Sequence, residues 1–115
     1  MKIRVYEYEK CSTCRNALKW LDKKGVAYER VPIVERPPAK SELAEMLRRV
    51  GDLKKLFNTS GLVYRELKVG ERLKTMSEGE ALDLLAKHGK LVKRPFVPAK
   101  GLVGFKEAEW AAAFR

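Results

Sequence analysis

The sequence predicts an α/β domain with a mixed β-sheet and helices on both faces of that sheet. Two observations support this prediction: the first third of the chain has a strand–helix–strand pattern, and the last third contains short β-prone pairs followed by a helix. A strand–helix–strand unit requires parallel strands, whereas the later pairs are typical of a hairpin at a sheet edge. A chain of 115 residues fits a single domain, residues 1–115.

The strand–helix–strand unit occupies the first 33 residues. Residues 2–8 are β-prone, and apolar residues recur at helical spacing from Ala17 to Leu21. Gly25 suits the position just after a helix, and residues 26–33 supply the second strand.

Helices are expected to dominate the middle of the chain. Prolines at 37–38 end the first unit, and Ser41 can cap a helix that Gly51 closes. A short helix is expected over 53–57, followed by a loop over 58–61 that is rich in turn-forming residues.

The last third begins with a capping-box pattern, in which Ser77 caps a helix and Glu80 reaches back to it. A final helix is expected from about residue 106. Three β-prone pairs between these helices are predicted as strands: 91–92, 96–97 and 102–103.

The net charge of +10 predicts attraction to something acidic, namely nucleic acid, an acidic protein surface or an oxyanion. The charge is spread along the whole chain, so a solvated basic surface explains it equally well. No helix-turn-helix signature is present, so direct nucleic-acid binding is not expected. No apolar run approaches the roughly 20 residues of a membrane span, and no signal-peptide pattern is present, so we expect no membrane contact and a cytoplasmic location.

A Cys-x-x-Cys pair, Cys11-Ser12-Thr13-Cys14, lies at the first strand-to-helix turn. Backbone N–H groups at a helix N-terminus stabilise a thiolate, and Arg15 could add to this effect at Cys11. Cys14 lies three residues on, within disulfide reach on the same helix face. Cys11 could therefore attack a substrate, and Cys14 could resolve the adduct by closing a disulfide.

Two other interpretations of the cysteines remain. A zinc site needs about four ligands, whereas the chain has only two cysteines and a distant His88, so no metal is expected. Two ordinary buried thiols are the second alternative. A Cys-x-x-Cys pair in the first turn of such a unit in a cytosolic protein is nevertheless typical of a thioredoxin-like redox site.

The chain resembles the arsenate reductase (ArsC) and Spx family of thioredoxin-fold proteins. The resemblance runs nearly from end to end, and the matching stretches are 8–21 (YEKCSTCRNALKWL), 57–61 (FNTSG), 91–96 (LVKRPF) and 102–107 (LVGFKE). It implies a thioredoxin-like, four-stranded mixed sheet flanked by helices, with a helical insert near the middle of the chain.

The resemblance also implies a site. Cys11 corresponds to the family's nucleophile, and Arg94-Pro95 corresponds to its Arg-Pro pair, in which a cis bond before the proline brings the loop close to the thiol. Arg94 could then stabilise the thiolate and receive an oxyanion. Arg94 could instead be one surface cation among many, and Pro95 could simply begin a strand. Arg15, Asn58 and Pro95 are expected to contact the substrate. Asn58 would line the pocket, although a role as a cap or turn residue is equally consistent with its position.

The departures from the family are informative. Its arsenate reductases hold the oxyanion with three arginines, but here the other two positions fall near Asn58 and Gly104, which argues against an arsenate-specific pocket. The first functional hypothesis is therefore a thiol-dependent reductase of a small oxyanion or a disulfide, with glutathione, glutaredoxin or thioredoxin supplying electrons and no bound cofactor. The second is an Spx-like redox-sensing regulator that binds the α subunit of RNA polymerase.

Overall fold

The first third of the chain forms the expected strand–helix–strand unit in a computed structural model that describes residues 2–115. Strand β1 (Ile3–Glu7) and strand β2 (Tyr28–Pro32) are parallel, and helix α1 (Ser12–Lys24) connects them. Gly25 ends α1 with a φ of 71°, a left-handed conformation that glycine adopts without steric cost. All three elements were predicted, with boundaries that differ by a few residues.

The sheet has four strands in the order β2-β1-β3-β4, where β3 is Phe96–Val97 and β4 is Leu102–Val103. β3 is antiparallel to both β1 and β4. The mixed four-stranded sheet is thereby confirmed. The predicted hairpin is also present, but only β4 lies at the edge, because β3 pairs with β1 in the interior of the sheet.

The prediction of a strand at residues 91–92 was wrong. Gly89–Leu91 forms a 3₁₀ turn, and Val92 makes only an isolated antiparallel bridge with Phe57. The reason is that the backbone of this segment pairs with a loop and not with the sheet. The backbone N–H of Asn58 donates to the carbonyl of Leu91 at 2.7 Å.

The other helices lie between β2 and β3 or after β4. They are α2 (Lys40–Val50), α3 (Leu62–Glu66), α4 (Val69–Arg72), α5 (Glu78–Lys87) and α6 (Glu107–Ala113), with 3₁₀ turns at Leu53–Leu56 and Pro98–Lys100. The predicted capping box of α5 is confirmed, since the Glu80 N–H donates to the Ser77 hydroxyl at 3.1 Å and the Ser77 N–H to the Glu80 carboxylate at 3.2 Å. Across residues 2–115, no helix has the length and apolar character needed to cross a membrane.

The start of α2 differs from the prediction that Ser41 caps it. The cap position is Ala39, and Ser41 lies exposed inside the first turn. The backbone N–H of this cap residue donates to the Glu42 carboxylate at 3.1 Å, so the Glu42 side chain, three residues into the helix, satisfies it. The hydroxyl of Tyr6 in β1 donates to the same carboxylate at 2.8 Å and so ties α2 to the sheet.

The two faces of the sheet carry separate apolar cores. Alternate residues of a strand point to opposite faces, and Tyr6 belongs to one cluster while its neighbour Val5 belongs to the other. The larger core packs under α2 and α5, and the smaller one under α1 and α6. The helices therefore cover both faces, as predicted.

An aromatic cluster fills the smaller core and attaches α6 to α1. It consists of Trp20, Phe105, Trp110 and Phe114, and the ring centroids of Trp20 and Trp110 lie 6.0 Å apart, edge to face. Trp110 is 1% exposed, and its indole N–H donates to the carbonyl of Gly104 at 3.0 Å, so its polar group is satisfied.

Candidate active site

The two cysteines lie where β1 passes into α1. Cys11 is the N-cap residue of α1: its backbone is extended, its N–H donates to the carbonyl of Tyr8 at 3.0 Å, and its carbonyl accepts the first helical bond from Arg15 at 3.1 Å. Cys11 is partly exposed, whereas Cys14, in the first turn of the helix, is fully buried. Both cysteines are free thiols, and only Cys11 is accessible to solvent.

The two thiols have pKa values shifted in opposite directions. Burial opposes ionisation of Cys11, but hydrogen bonds from the backbone and thiol of Cys14 and from Arg94, together with the Arg94 charge, outweigh it and lower the pKa of Cys11. Burial raises the pKa of Cys14, and the neighbouring Cys11 raises it further. Cys11 is therefore the sulfur that ionises first, and Cys14 keeps its proton.

Arg94 reaches Cys11 from the loop that precedes β3. Its peptide bond to Pro95 is cis, in agreement with the family resemblance. One guanidinium nitrogen donates to the carbonyl of Lys90 at 3.2 Å, and the guanidinium carbon lies 4.8 Å from the centroid of the Tyr8 ring. These two contacts fix the orientation of the guanidinium, which lowers the pKa of Cys11.

Pro95 and Asn58 lie on two loops near this edge of the sheet. Pro95 is buried, and its carbonyl accepts a hydrogen bond from the Gly104 N–H at 2.9 Å, which closes the hairpin of β3 and β4. The carbonyl of Asn58 accepts from the N–H of Gly61 at 3.2 Å, and the Asn58 side chain packs over that glycine. The observed contacts of Asn58 are thus those of a turn residue, and pocket lining stays a prediction.

Arg15 is exposed on the first turn of α1. Its guanidinium donates to the carbonyl of Glu9 at 3.0 Å, which braces the loop before the dithiol. The charge that acts on Cys11 comes from Arg94. Substrate binding by Arg15 stays a prediction, because its guanidinium retains further donors that face solvent.

Sequence reasoning missed Tyr8 as a member of this site. Its ring supports the Arg94 guanidinium, and its carbonyl accepts the N–H of Cys11. The available signal was an aromatic residue three positions before the first cysteine, but its partner lies 86 residues further on, and spacing alone does not reveal such a pair. Within the described part of the chain, no three His, Cys, Asp or Glu side chains are grouped as metal ligands.

Comparison with known proteins shows which families and structures this chain is similar to. Residues 6–113 match the ArsC family. Among solved structures, an ArsC-family-related protein from Bacteroides fragilis is similar over 98% of this chain and 99% of its own, with a TM-score of 0.88 and 46% identity.

Curated relatives fall into enzymes and regulators. The protein YusI of Bacillus subtilis is 49% identical over 96% of each chain. An arsenate reductase of Rhizobium meliloti is 30% identical over 86% of this chain and 70% of its own. The global transcriptional regulator Spx 2 of Oceanobacillus iheyensis is also 30% identical, over 84% of this chain and 70% of its own.

Proposed function

The chain belongs to the ArsC family, and from this premise we propose that it is a thiol-dependent oxidoreductase in which Cys11 is the nucleophile and Cys14 the resolving thiol. The observation that carries the proposal is the opposite shift of the two pKa values at adjacent sulfurs, one partly exposed and one buried. A nucleophile must be ionised and accessible, whereas a resolving thiol must wait until an adduct has formed.

The proposed reaction begins when the Cys11 thiolate attacks one sulfur of a disulfide substrate. The substrate's S–S bond breaks, its second sulfur leaves as a thiolate, and a mixed disulfide to Cys11 forms. Cys11 then carries no negative charge, which removes the interaction with Cys11 that raises the pKa of Cys14. Cys14 loses its proton, attacks Cys11 and releases the reduced substrate, leaving a Cys11–Cys14 disulfide.

Arg94 is proposed to stabilise anions throughout this cycle. Its guanidinium lowers the pKa of Cys11 in the resting state, and in the proposed cycle it donates to a leaving thiolate or to a small oxyanion. A thiol reductant such as glutathione, glutaredoxin or thioredoxin would reopen the disulfide, which places the proposed cycle in the cytoplasm, where such thiols are kept reduced.

Arsenate is a poor fit as the physiological substrate. Of the three arginines that the family's arsenate reductases use, only Arg94 has a counterpart here. Another of the positions falls near Gly104, and the aliphatic part of Lys93 packs over this glycine, 3.3 Å from where a Cβ would be. The proposal therefore favours a disulfide over arsenate.

The test is turnover of a small disulfide and of arsenate, with glutathione or reduced thioredoxin as donor. We expect wild-type protein to reduce the disulfide, Cys11→Ser to abolish the reaction, and Cys14→Ser to stop at a mixed disulfide detectable by mass spectrometry. Turnover that survives in Cys11→Ser would refute the mechanism. Arsenate turnover at a higher kcat/KM than the disulfide would refute the substrate assignment.

A redox-sensing regulator is the second candidate, because the similarity to Spx 2 is as high as that to the arsenate reductase. In this case the dithiol would be a switch, and the partner would be the α subunit of RNA polymerase. The two candidates differ in one measurement: a regulator binds the C-terminal domain of that subunit with an affinity that depends on the state of the dithiol, without turnover. Binding that is absent in both redox states would eliminate this candidate.

A further inference from the structure

A basic groove lies on the β4 side of the sheet, and its lining includes Lys93, the residue before Arg94. Its volume is about 660 Å³, within the range of ligand sites. One wall comes from the end of α2 and the 3₁₀ turn after it, and the opposite wall from β4 and the start of α6. The residues that carry charge in its lining are Arg49, Asp52, Lys54, Lys55, Lys93, Lys106 and Glu109.

Two of the groove's cations are held against backbone. The Arg49 guanidinium donates to the carbonyl of Pro98 at 3.1 Å and lies over Gly101, where a Cβ would come within 2.5 Å of it. The stem of Lys93 lies over Gly104 in the same way. Both glycines have positive φ, at 64° and 77°, so the backbone leaves room for these side chains and orients their charges.

Most of the groove's positive charge is uncompensated. Among residues 2–115, the ion pairs of the structure include Lys106 with Glu109 at 3.9 Å, but none that involves Arg49, Lys54, Lys55 or Lys93. The carboxylate of Asp52 accepts the backbone N–H of Lys54, so it acts as a helix cap. An anionic occupant would supply the missing partners.

Two residues of the lining are neighbours in sequence of predicted site residues. Lys93 immediately precedes Arg94, which lowers the pKa of Cys11, and Thr59 follows Asn58. The start of β3 and the end of β4 meet at the edge where β1 ends, because these strands are antiparallel to their neighbours. A chain bound along the groove would therefore place its end beside Cys11.

We infer that this groove binds an acidic polypeptide segment and presents that segment's disulfide to Cys11. The inference rests on the proposed oxidoreductase function and names its substrate class. A peptide fits better than a nucleic acid, because Asp52 and Glu109 would repel phosphates, whereas peptide N–H groups can donate to them. The floor also contains apolar residues, Phe57 and Val103, rather than exposed aromatic rings for base stacking.

The test uses three synthetic peptides that differ only in the residues flanking a central cysteine: glutamate, glutamine or lysine. The cysteine of each peptide is joined to free cysteine by a disulfide. In single turnover with the reduced protein at low salt, we expect the glutamate peptide to be reduced about tenfold faster than the glutamine peptide. The advantage should shrink at high salt because the charges are solvent-exposed.

The double variant Lys54→Gln/Lys55→Gln should lower the rate with the glutamate peptide about fivefold more than the rate with the glutamine peptide. The matched control is Lys19→Gln/Lys23→Gln, which removes the same charge from exposed positions on α1. An equal loss in both double variants would show that net charge alone attracts the peptide, and this would overturn the inference. Equal rates for all three peptides with the wild-type protein would overturn it too, while leaving the oxidoreductase proposal intact.

A binding measurement separates the groove from the chemistry. Cys11→Ser protein should bind the fluorescently labelled glutamate peptide, as measured by anisotropy, and the Lys54/Lys55 changes should weaken that binding about tenfold. If no peptide is reduced, the proposed oxidoreductase function fails. The binding measurement still tests whether the groove prefers acidic peptides, because equal affinity for the glutamate and glutamine peptides would refute that preference. Tighter binding of a single-stranded oligonucleotide that depends on Lys54 and Lys55 would assign the groove to nucleic acid and also refute the inference.

Discussion

Replacing Arg94 with methionine should raise the pKa of Cys11, because Arg94 is one of the groups that lower it. Methionine keeps much of the side chain's length and its packing on Tyr8, but it removes both the charge and the hydrogen bond to the sulfur. A hydrogen bond to a charged partner contributes about 1.5–3 kcal/mol, and one pKa unit corresponds to about 1.4 kcal/mol. Because Arg94 and Cys11 are both partly exposed, water screens the interaction, and the lower end of that range applies.

The assay is the rate of Cys11 alkylation by iodoacetamide as a function of pH, with mass spectrometry confirming which cysteine reacts. Wild-type Cys11 should react with a midpoint below the ordinary value for a cysteine thiol, and the midpoint should move upward in Arg94→Met. Arg94→Lys should give an intermediate midpoint, because it keeps a charge but loses the planar fork.

The control is Arg65→Met, which removes the same charge from an exposed helix position. An unchanged midpoint in Arg94→Met would refute the contribution of Arg94, and the shift would then come from the backbone N–H and the thiol of Cys14 alone. The same upward shift in Arg65→Met would show that the overall field of the protein, rather than one contact, sets the pKa.

Three further predictions concern neighbouring contacts. Tyr8→Leu should raise the alkylation midpoint of Cys11 by less than Arg94→Met does, and Tyr8→Phe should leave it unchanged, since the ring supports the guanidinium; a shift in Tyr8→Phe would contradict this. The pKa of Tyr6 is raised to about 12 by burial and by its hydrogen bond to Glu42, so its contribution to stability is complete below pH 10 and is lost as the pH rises through about 12. The difference in urea unfolding free energy between wild type and Tyr6→Phe, about 1.5–3 kcal/mol, should therefore shrink over that interval, and a constant difference would be the contrary result. Gly89→Ala should destabilise the protein strongly, because a Cβ would clash with the carbonyl oxygen of Ile33. Gly79→Ala in α5 has room for a Cβ and should stabilise the protein by up to about 1 kcal/mol, so equal thermal midpoints for the two variants would contradict this packing.

The predictable parts of the fold are those that local chemistry decides. The strand–helix–strand unit follows from two β-prone stretches, one helical period and Gly25, all within 33 residues. The position of Cys11 at the helix N-terminus follows from the same local pattern. The capping box at Ser77 was equally local, and it was predicted correctly.

The parts that failed depend on partners far away in the sequence. Residues 91–92 have the composition of a strand, but the backbone of Asn58, rather than a sheet strand, takes up the Leu91 carbonyl. Serine is a residue type that often caps helices, but α2 begins before Ser41. The cap residue is Ala39, and its N–H donates to the Glu42 carboxylate. Periodicity describes what a segment is able to form, and it carries no information about which distant group will satisfy its backbone.

The site divides in the same way. The dithiol is a motif within four residues, so it is visible in the sequence, and the family resemblance identified Arg94. The contact between Tyr8 and Arg94 joins the loop after β1 to the loop before β3, and only the antiparallel pairing of those two strands brings these residues together.

Both tryptophans lie in the aromatic cluster between α1 and α6, so intrinsic fluorescence reports on one half of the molecule. The half that packs under α2 and α5, including the walls of the basic groove formed by α2, contains no tryptophan within residues 2–115. Emission and far-ultraviolet circular dichroism would coincide during unfolding only if both halves melt together. The placement of these two side chains thus provides a built-in optical test of whether the helix that carries the dithiol can loosen while the opposite layer stays folded.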